Sequence, residues 1–220
     1  MSSRGLILQH GRDGPPGRLE EWLNERSIDY EIHHSRESPP PPVAGRAFVA
    51  SLGSDHSAGP DGPPWVRAEI EAIREAVESD VPVLGLCFGG QALAVALGGG
   101  VAPAPVPEIG WLPVESSDPS IPEGPWAQYH YEILRLPPGA VELARTPAGP
   151  AAFRVGRHLG VQFHPETTTQ LMSKWVRMDP NLPDTVTPEQ VDEQGALHGE
   201  AARENALRLF DTWWAGVGNS

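Results

Sequence analysis

Short apolar runs alternate along this chain with stretches whose apolar residues recur every three or four positions, the pattern of a mostly parallel sheet covered by helices on both faces. The first run, Gly5–Gln9, reads as a strand, and residues 18–26 read as a short helix with Leu19, Trp22 and Leu23 on one face. Strands are expected over residues 30–33 and 46–51, joined by the polar, proline-rich SRESPPPPVAG, which reads as a connecting loop. In residues 65–78, Val66, Ile70, Ile73 and Val77 fall at spacings of four, three and four, so this helix is expected to lay an apolar stripe on the sheet. Val81, Val83, Leu84 and Leu86 form the next strand, and the helix after it stops at Gly98, Gly99 and Gly100. Residues 101–163 are rich in Pro and Gly and suggest short strands in a small antiparallel extension that leads to His164. The tail, residues 188–216, predicts a closing helix with Leu207, Phe210 and Trp214 turned to the core. The fold expected is therefore α/β, a mostly parallel central sheet flanked by helices with a small antiparallel extension.

Composition narrows the function classes. With 220 residues, 39% of them hydrophobic, and seven tryptophans, the chain suits one sizeable core, so residues 1–220 are read as a single domain. No apolar run approaches the roughly 18 residues of a membrane span, and the start MSSRGLILQHGRDG enters a strand rather than a signal peptide, which makes the cytoplasm the expected location. One cysteine excludes an intrachain disulfide framework. A net charge of −13 with a single lysine, Lys174, disfavours nucleic acid as a partner; the acidic excess serves solubility or selects a basic partner surface. No metal or cofactor is expected. His33 and His34 are adjacent in a strand and point to opposite faces, and Gly98–Gly100 lacks the Lys-Ser/Thr ending of a phosphate loop.

Chemistry enters at VPVLGLCFGGQA, residues 81–92, which sets Cys87 in a sharp turn between a strand and a glycine-rich helix start. Glycines 85, 89 and 90 permit the strained backbone and close strand-to-helix packing of a nucleophile elbow, the device used by serine hydrolases. A thiol there faces the positive end of the helix dipole and free N–H groups, which favour the thiolate. The alternative is a small buried hydrophobe, the usual role of a lone cysteine. A second segment, LGVQFHPE at 159–166, reads as a strand delivering His164 into a turn fixed by Pro165, with Glu166 two residues on. Such a histidine can take a thiol proton and return it to a leaving amine, and the carboxylate can hold the ring in the required tautomer.

GLCFGGQ followed by GVQFHPE resembles the class I glutamine amidotransferases, nearest to a free-standing branch related to the amidotransferase domain of GMP synthase. PEIGW at 107–111, LPPGA at 136–140 and the block from 152 to 166 extend the resemblance over nearly the whole chain. It implies that Cys87 is the nucleophile, His164 the general base and then acid, Glu166 its orienting carboxylate, and Gln91 a contact to bound glutamine. An oxyanion hole would use the N–H of Phe88, next to the nucleophile, and that of Gly53. Relatives carry a G-G-P-x-S type sequence in the latter loop, whereas here LGSDHSAG has Leu52 for the first glycine and Ser54 for the proline. At PWAQYHYE, residues 125–132, relatives tend to carry W-H-x-D; His130 aligns with that histidine and is a candidate substrate-binding residue, while Glu132 replaces the aspartate. Tyr129 and Tyr131 are read as pointing one inward and one outward.

The function this implies is hydrolysis of the glutamine side-chain amide through a Cys87 γ-glutamyl thioester, supplying ammonia or a related amine to an acceptor. No ATP-binding synthetase segment is read in these residues, so the acceptor is expected to be activated by a separate synthetase. Two alternatives stand beside it: a free-standing hydrolase or transferase of γ-glutamyl conjugates, and a non-catalytic amidotransferase-like binding subunit.

Overall fold

The computed structural model describes residues 4–217. In chain order the elements are β1 (Gly5–Gln9), α1 (Gly17–Glu25), β2 (Tyr30–His34), β3 (Val49–Ser51), α2 (Pro64–Glu78), β4 (Val83–Leu86) and α3 (Phe88–Ala96). These are followed by β5 (Gly100–Leu112), β6 (Glu115–Ser116), β7 (Trp126–Arg135), β8 (Val141–Thr146), β9 (Gly149–Val155), β10 (His158–Val161), α4 (Thr169–Met178) and α5 (Pro188–Val217).

The main sheet runs β2-β1-β3-β4-β10-β9-β8-β6. Its first five strands pair in parallel, and β9, β8 and β6 continue it antiparallel. This is the α/β architecture expected from the alternation of strand and helix patterns. The antiparallel part of the chain does two separate things, however, because β5 and β7 leave the main sheet and pair only with each other. Their ladder breaks between Pro103 and Glu108, where APAPVPE places prolines that have no N–H to donate.

Strand alternation divides the core. Ile7 of β1 faces one side with Trp22, Phe48 and Phe210, beneath α1 and α5. Leu6 and Leu8 face the other with Val66, Ile73 and Leu93, beneath α2 and α3. A third cluster of Ile109, Trp111, Met172, Val176 and Val191 joins the β5–β7 ribbon to α4 and α5.

Three expectations are corrected. The strand expected over 46–51 is regular only over Val49–Ser51. On α5 the buried stripe is Ala202, Ala206, Leu209, Phe210 and Trp213, while Leu207 and Trp214 are only partly buried, so the inward face is turned from the one the sequence suggested. Helix α4 is additional to the elements expected, although Thr168 caps it by accepting a hydrogen bond from Leu171 N at 3.2 Å and Met172 and Val176 bury one side. Among the described residues, no helix is long and apolar enough to cross a membrane.

Candidate active site

Four neighbouring parallel strands each end on a residue of one cavity. His10 follows β1, Gly53 lies just past β3, Cys87 follows β4 and His164 lies just past β10. The carboxyl ends of parallel strands are where open α/β sheets place their ligands. The cavity measures about 600 Å³, and its wall also includes Gln91, Tyr129, Glu132 and Trp175.

Cys87 occupies φ +52° and ψ −105°, a conformation outside the regions that L-residues normally adopt, at the start of α3. The turn is forced by contact on both sides: a Cβ on Gly85 would lie 2.3 Å from the Gly89 carbonyl oxygen, and one on Gly89 would lie 2.0 Å from that of Ser51. Cys87 N–H donates to the Val161 carbonyl at 2.9 Å, which ties the elbow to β10.

His164 is buried beside it. Its Nδ1 donates to Glu166 Oε1 at 2.8 Å, leaving Nε2 with no partner and free for the thiol. Burial opposes a charge on this imidazole, but its neighbours Cys87 and Glu166 more than offset it and hold His164 well above the ordinary histidine range. The Glu166 backbone is held in turn, because Arg18 N–H donates to its carbonyl at 2.9 Å. Trp175 of α4 packs over His164 with ring centroids 4.9 Å apart and donates from Nε1 to the Asp13 carbonyl at 2.6 Å.

Phe88 and Gly53 flank the thiol, and among the described residues neither N–H has a protein acceptor. Gly53 touches the histidine: a Cβ there would lie 2.7 Å from His164 Cε1. Gln91 is buried and borders the cavity, with its Nε2 donating to the Glu132 carbonyl at 3.2 Å and to Gln162 Oε1 at 3.4 Å. His130 also borders the cavity, and its Nε2 is engaged within the β5–β7 ribbon, 3.0 Å from Gln128 Oε1 and 3.3 Å from Glu108 Oε2. Tyr129 and Tyr131 share one face of β7, contrary to the expectation that they point oppositely, since side chains two apart in a strand lie on the same side. Both hydroxyls donate to Asp179 Oδ2. Burial and that carboxylate push both phenol pKa values far up.

Sequence reasoning missed three residues here. Gln162 donates from Nε2 to Cys87 Sγ at 3.7 Å and accepts the Leu134 N–H at 2.9 Å. His10 and Glu69 form a buried pair behind the Gly53 loop. A signal existed for Glu69, an acidic residue beside Val66, Ile70 and Ile73 on the apolar stripe of α2.

These features define an α/β protein with a cysteine on a strand-to-helix elbow facing a histidine–carboxylate pair. The family model "Glutamine amidotransferase class-I" matches residues 56–178, and the chain belongs to that family. It is 39% identical over 131 residues to a glutamine-hydrolyzing GMP synthase of Aeropyrum pernix, covering 56% of this chain and 25% of that protein. It is 31% identical over 159 residues to a subunit of the glutamine-hydrolyzing GMP synthase of Ignicoccus hospitalis, covering 66% of this chain and 81% of that one. The chain thus spans about a quarter of the Aeropyrum relative and most of the Ignicoccus subunit. A glutamine amidotransferase structure from Methylobacillus flagellatus superposes with a TM-score of 0.87 at 26% identity, over 98% of this chain and 95% of that one.

Proposed function

We propose that this protein hydrolyses the side-chain amide of glutamine through a thioester on Cys87 and passes the ammonia to an acceptor activated by a synthetase. The observation that carries the reading is the strained elbow cysteine set beside the His164–Glu166 pair in one cavity.

The thiol proton goes to His164 Nε2, and Sγ adds to the glutamine Cδ. The Phe88 and Gly53 N–H groups receive the charge that develops on the amide oxygen. As the tetrahedral adduct collapses, His164 returns its proton to the departing nitrogen, and the C–N bond breaks to release ammonia and leave the γ-glutamyl thioester. Acylation blocks the Cys87 sulfur, one of the two groups that raise the His164 pKa. The imidazole then gives up its proton more readily and is available in its neutral form to take a proton from the water that frees glutamate. Glu166 holds the same ring nitrogen throughout, and Gln91 and His130 are assigned to the walls that receive the glutamate portion. The names of the GMP synthase relatives support a synthetase as the consumer of the ammonia.

Glutamate release from glutamine by the purified protein, with Cys87→Ala as control, tests the reading. Turnover that disappears in the variant is the expected result; equal turnover in both overturns it. The cavity, which extends past Cys87 to Arg36, Asp55 and Asn181, favours γ-glutamyl conjugates as a second reading. A panel of γ-glutamyl amides that react while glutamine does not would select it.

A further inference from the structure

We propose that His10 and Glu69 are positioning residues that hold the Gly53 loop with its N–H offered to the oxyanion, an inference resting on the amide hydrolysis proposed above.

Gly53 lies between two peptide planes, and each is gripped from outside the loop. The plane before it is held by its Leu52 carbonyl, which accepts the Gly89 N–H at 3.1 Å. That bond ties the loop to the same helix start that carries Phe88. The plane after it is held by the Gly53 carbonyl, which accepts from His10 Nδ1 at 2.9 Å. Because each peptide is planar, fixing both planes fixes the rotations at Gly53, the residue with the greatest backbone freedom. Without His10 the second plane has no other hydrogen bond of its own among the described residues.

The protons of His10 are set by its partners. A carbonyl oxygen only accepts, so Nδ1 must carry a proton. Nε2 lies 2.9 and 2.8 Å from the two oxygens of Glu69, and Ser51 Oγ donates to Oε1 of the same carboxylate at 2.6 Å. Burial opposes ionisation of Glu69, but His10 and the hydroxyl bond outweigh it and hold the carboxyl below its ordinary range. Nε2 faces that carboxylate, so the ring is clasped between Glu69 and the Gly53 carbonyl. The ring also stacks on Trp65 at 5.1 Å and meets the edge of Phe88 at 4.8 Å, so one side chain abuts both segments that supply oxyanion donors. Gly53 is thereby confined between His10 on one side and the His164 ring on the other. A polar pair buried under an apolar helix face is costly unless both members are hydrogen-bonded, and here all the bonds converge on this loop.

The test compares acylation of Cys87, which generates an oxyanion, with its alkylation by iodoacetamide, in which sulfur displaces iodide and no oxyanion forms. The double variant His10→Phe with Glu69→Gln keeps an aromatic ring against Trp65, keeps an acceptor for Ser51 and buries no unpaired charge. Its kcat for glutamine is expected to fall about 10- to 100-fold, less than outright loss of an oxyanion donor. KM should stay within about threefold, as befits an interaction made chiefly in the transition state. The iodoacetamide rate is expected to match wild type. The single variant Glu69→Gln, which can still bond His10 and leave Nδ1 as donor, should recover most of the loss. Unchanged kcat in the double variant overturns the proposal, as does parallel loss of turnover and alkylation, which marks a purely structural role. A wild-type protein inert to glutamine and to every γ-glutamyl amide overturns the proposed function, and the inference falls with it; an active wild type confines any failure to His10 and Glu69.

Discussion

His164 sits where two influences compete, and its proton is the measurable result. Burial disfavours the imidazolium, whereas Cys87 and Glu166 favour it and prevail. Removing either neighbour must therefore lower the titration midpoint. Nitrogen NMR of the His164 ring is expected to show it still protonated above the ordinary value of about 6.5, with a lower midpoint in Cys87→Ala and in Glu166→Gln. A raised histidine pKa also contributes stability that is full below the unfolded value and lost as pH rises through the folded one. Gln162 offers a second test at this scale. Replacing it with Leu removes the donor to Sγ and strands the buried Leu134 N–H, so a loss of about 1–3 kcal/mol is expected in denaturant unfolding. The turns that carry Cys87, His164 and Glu166 were legible in the sequence because glycine and proline mark them locally. The pairing of His10 with Glu69 was not, because the two stand 59 positions apart and only the place of Glu69 on the apolar stripe of α2 hinted at it.

The elbow and its neighbouring strands behave as one packed element. Gly89→Ala would drive a Cβ to 2.0 Å from the Ser51 carbonyl, against backbone that cannot give way. A destabilisation near 3 kcal/mol, the upper end for overpacking, is expected by chemical denaturation, with loss of turnover because β3 also leads to Gly53. Helix α4 acts on the site from the other wall through Trp175 and through Asp179, where the two tyrosine hydroxyls meet. Thr168→Ala removes its cap at a cost of about 1 kcal/mol, and the expected outcome is a lower melting temperature. Amphipathic periodicity revealed α2 because a full apolar stripe lies on the sheet. It did not reveal α4, whose buried side consists of just Met172 and Val176.

Across the molecule, two buried histidines respond to pH in opposite senses. Burial, with Arg157 acting in the same direction against Asp80, lowers the His158 pKa, so that ring folds neutral. Its contribution is full above about 6.5 and lost as pH falls through the interval down to its folded value, since the unfolded chain binds the proton first. Glu69 acts in the same direction at lower pH, its depressed pKa adding stability that acid removes. Melting temperature is therefore expected to fall on acidification below pH 6.5, and His158→Gln should flatten the first part of that fall while leaving the carboxylate part.

The sequence by itself determined the alternation of strands and helices, the elbow at Cys87 and the His164-Pro165-Glu166 turn, because these follow from local backbone geometry and the spacing of apolar residues. Tertiary structure alone decided the separation of the β5–β7 ribbon, the inward face of α5, the meeting of the Tyr129 and Tyr131 hydroxyls on Asp179, and the clasp of His10 and Glu69 on Gly53. Hydrogen bonds between residues distant in the chain have no period and no local residue preference to announce them, so they exist only once the sheet has brought β1, β3 and α2 together.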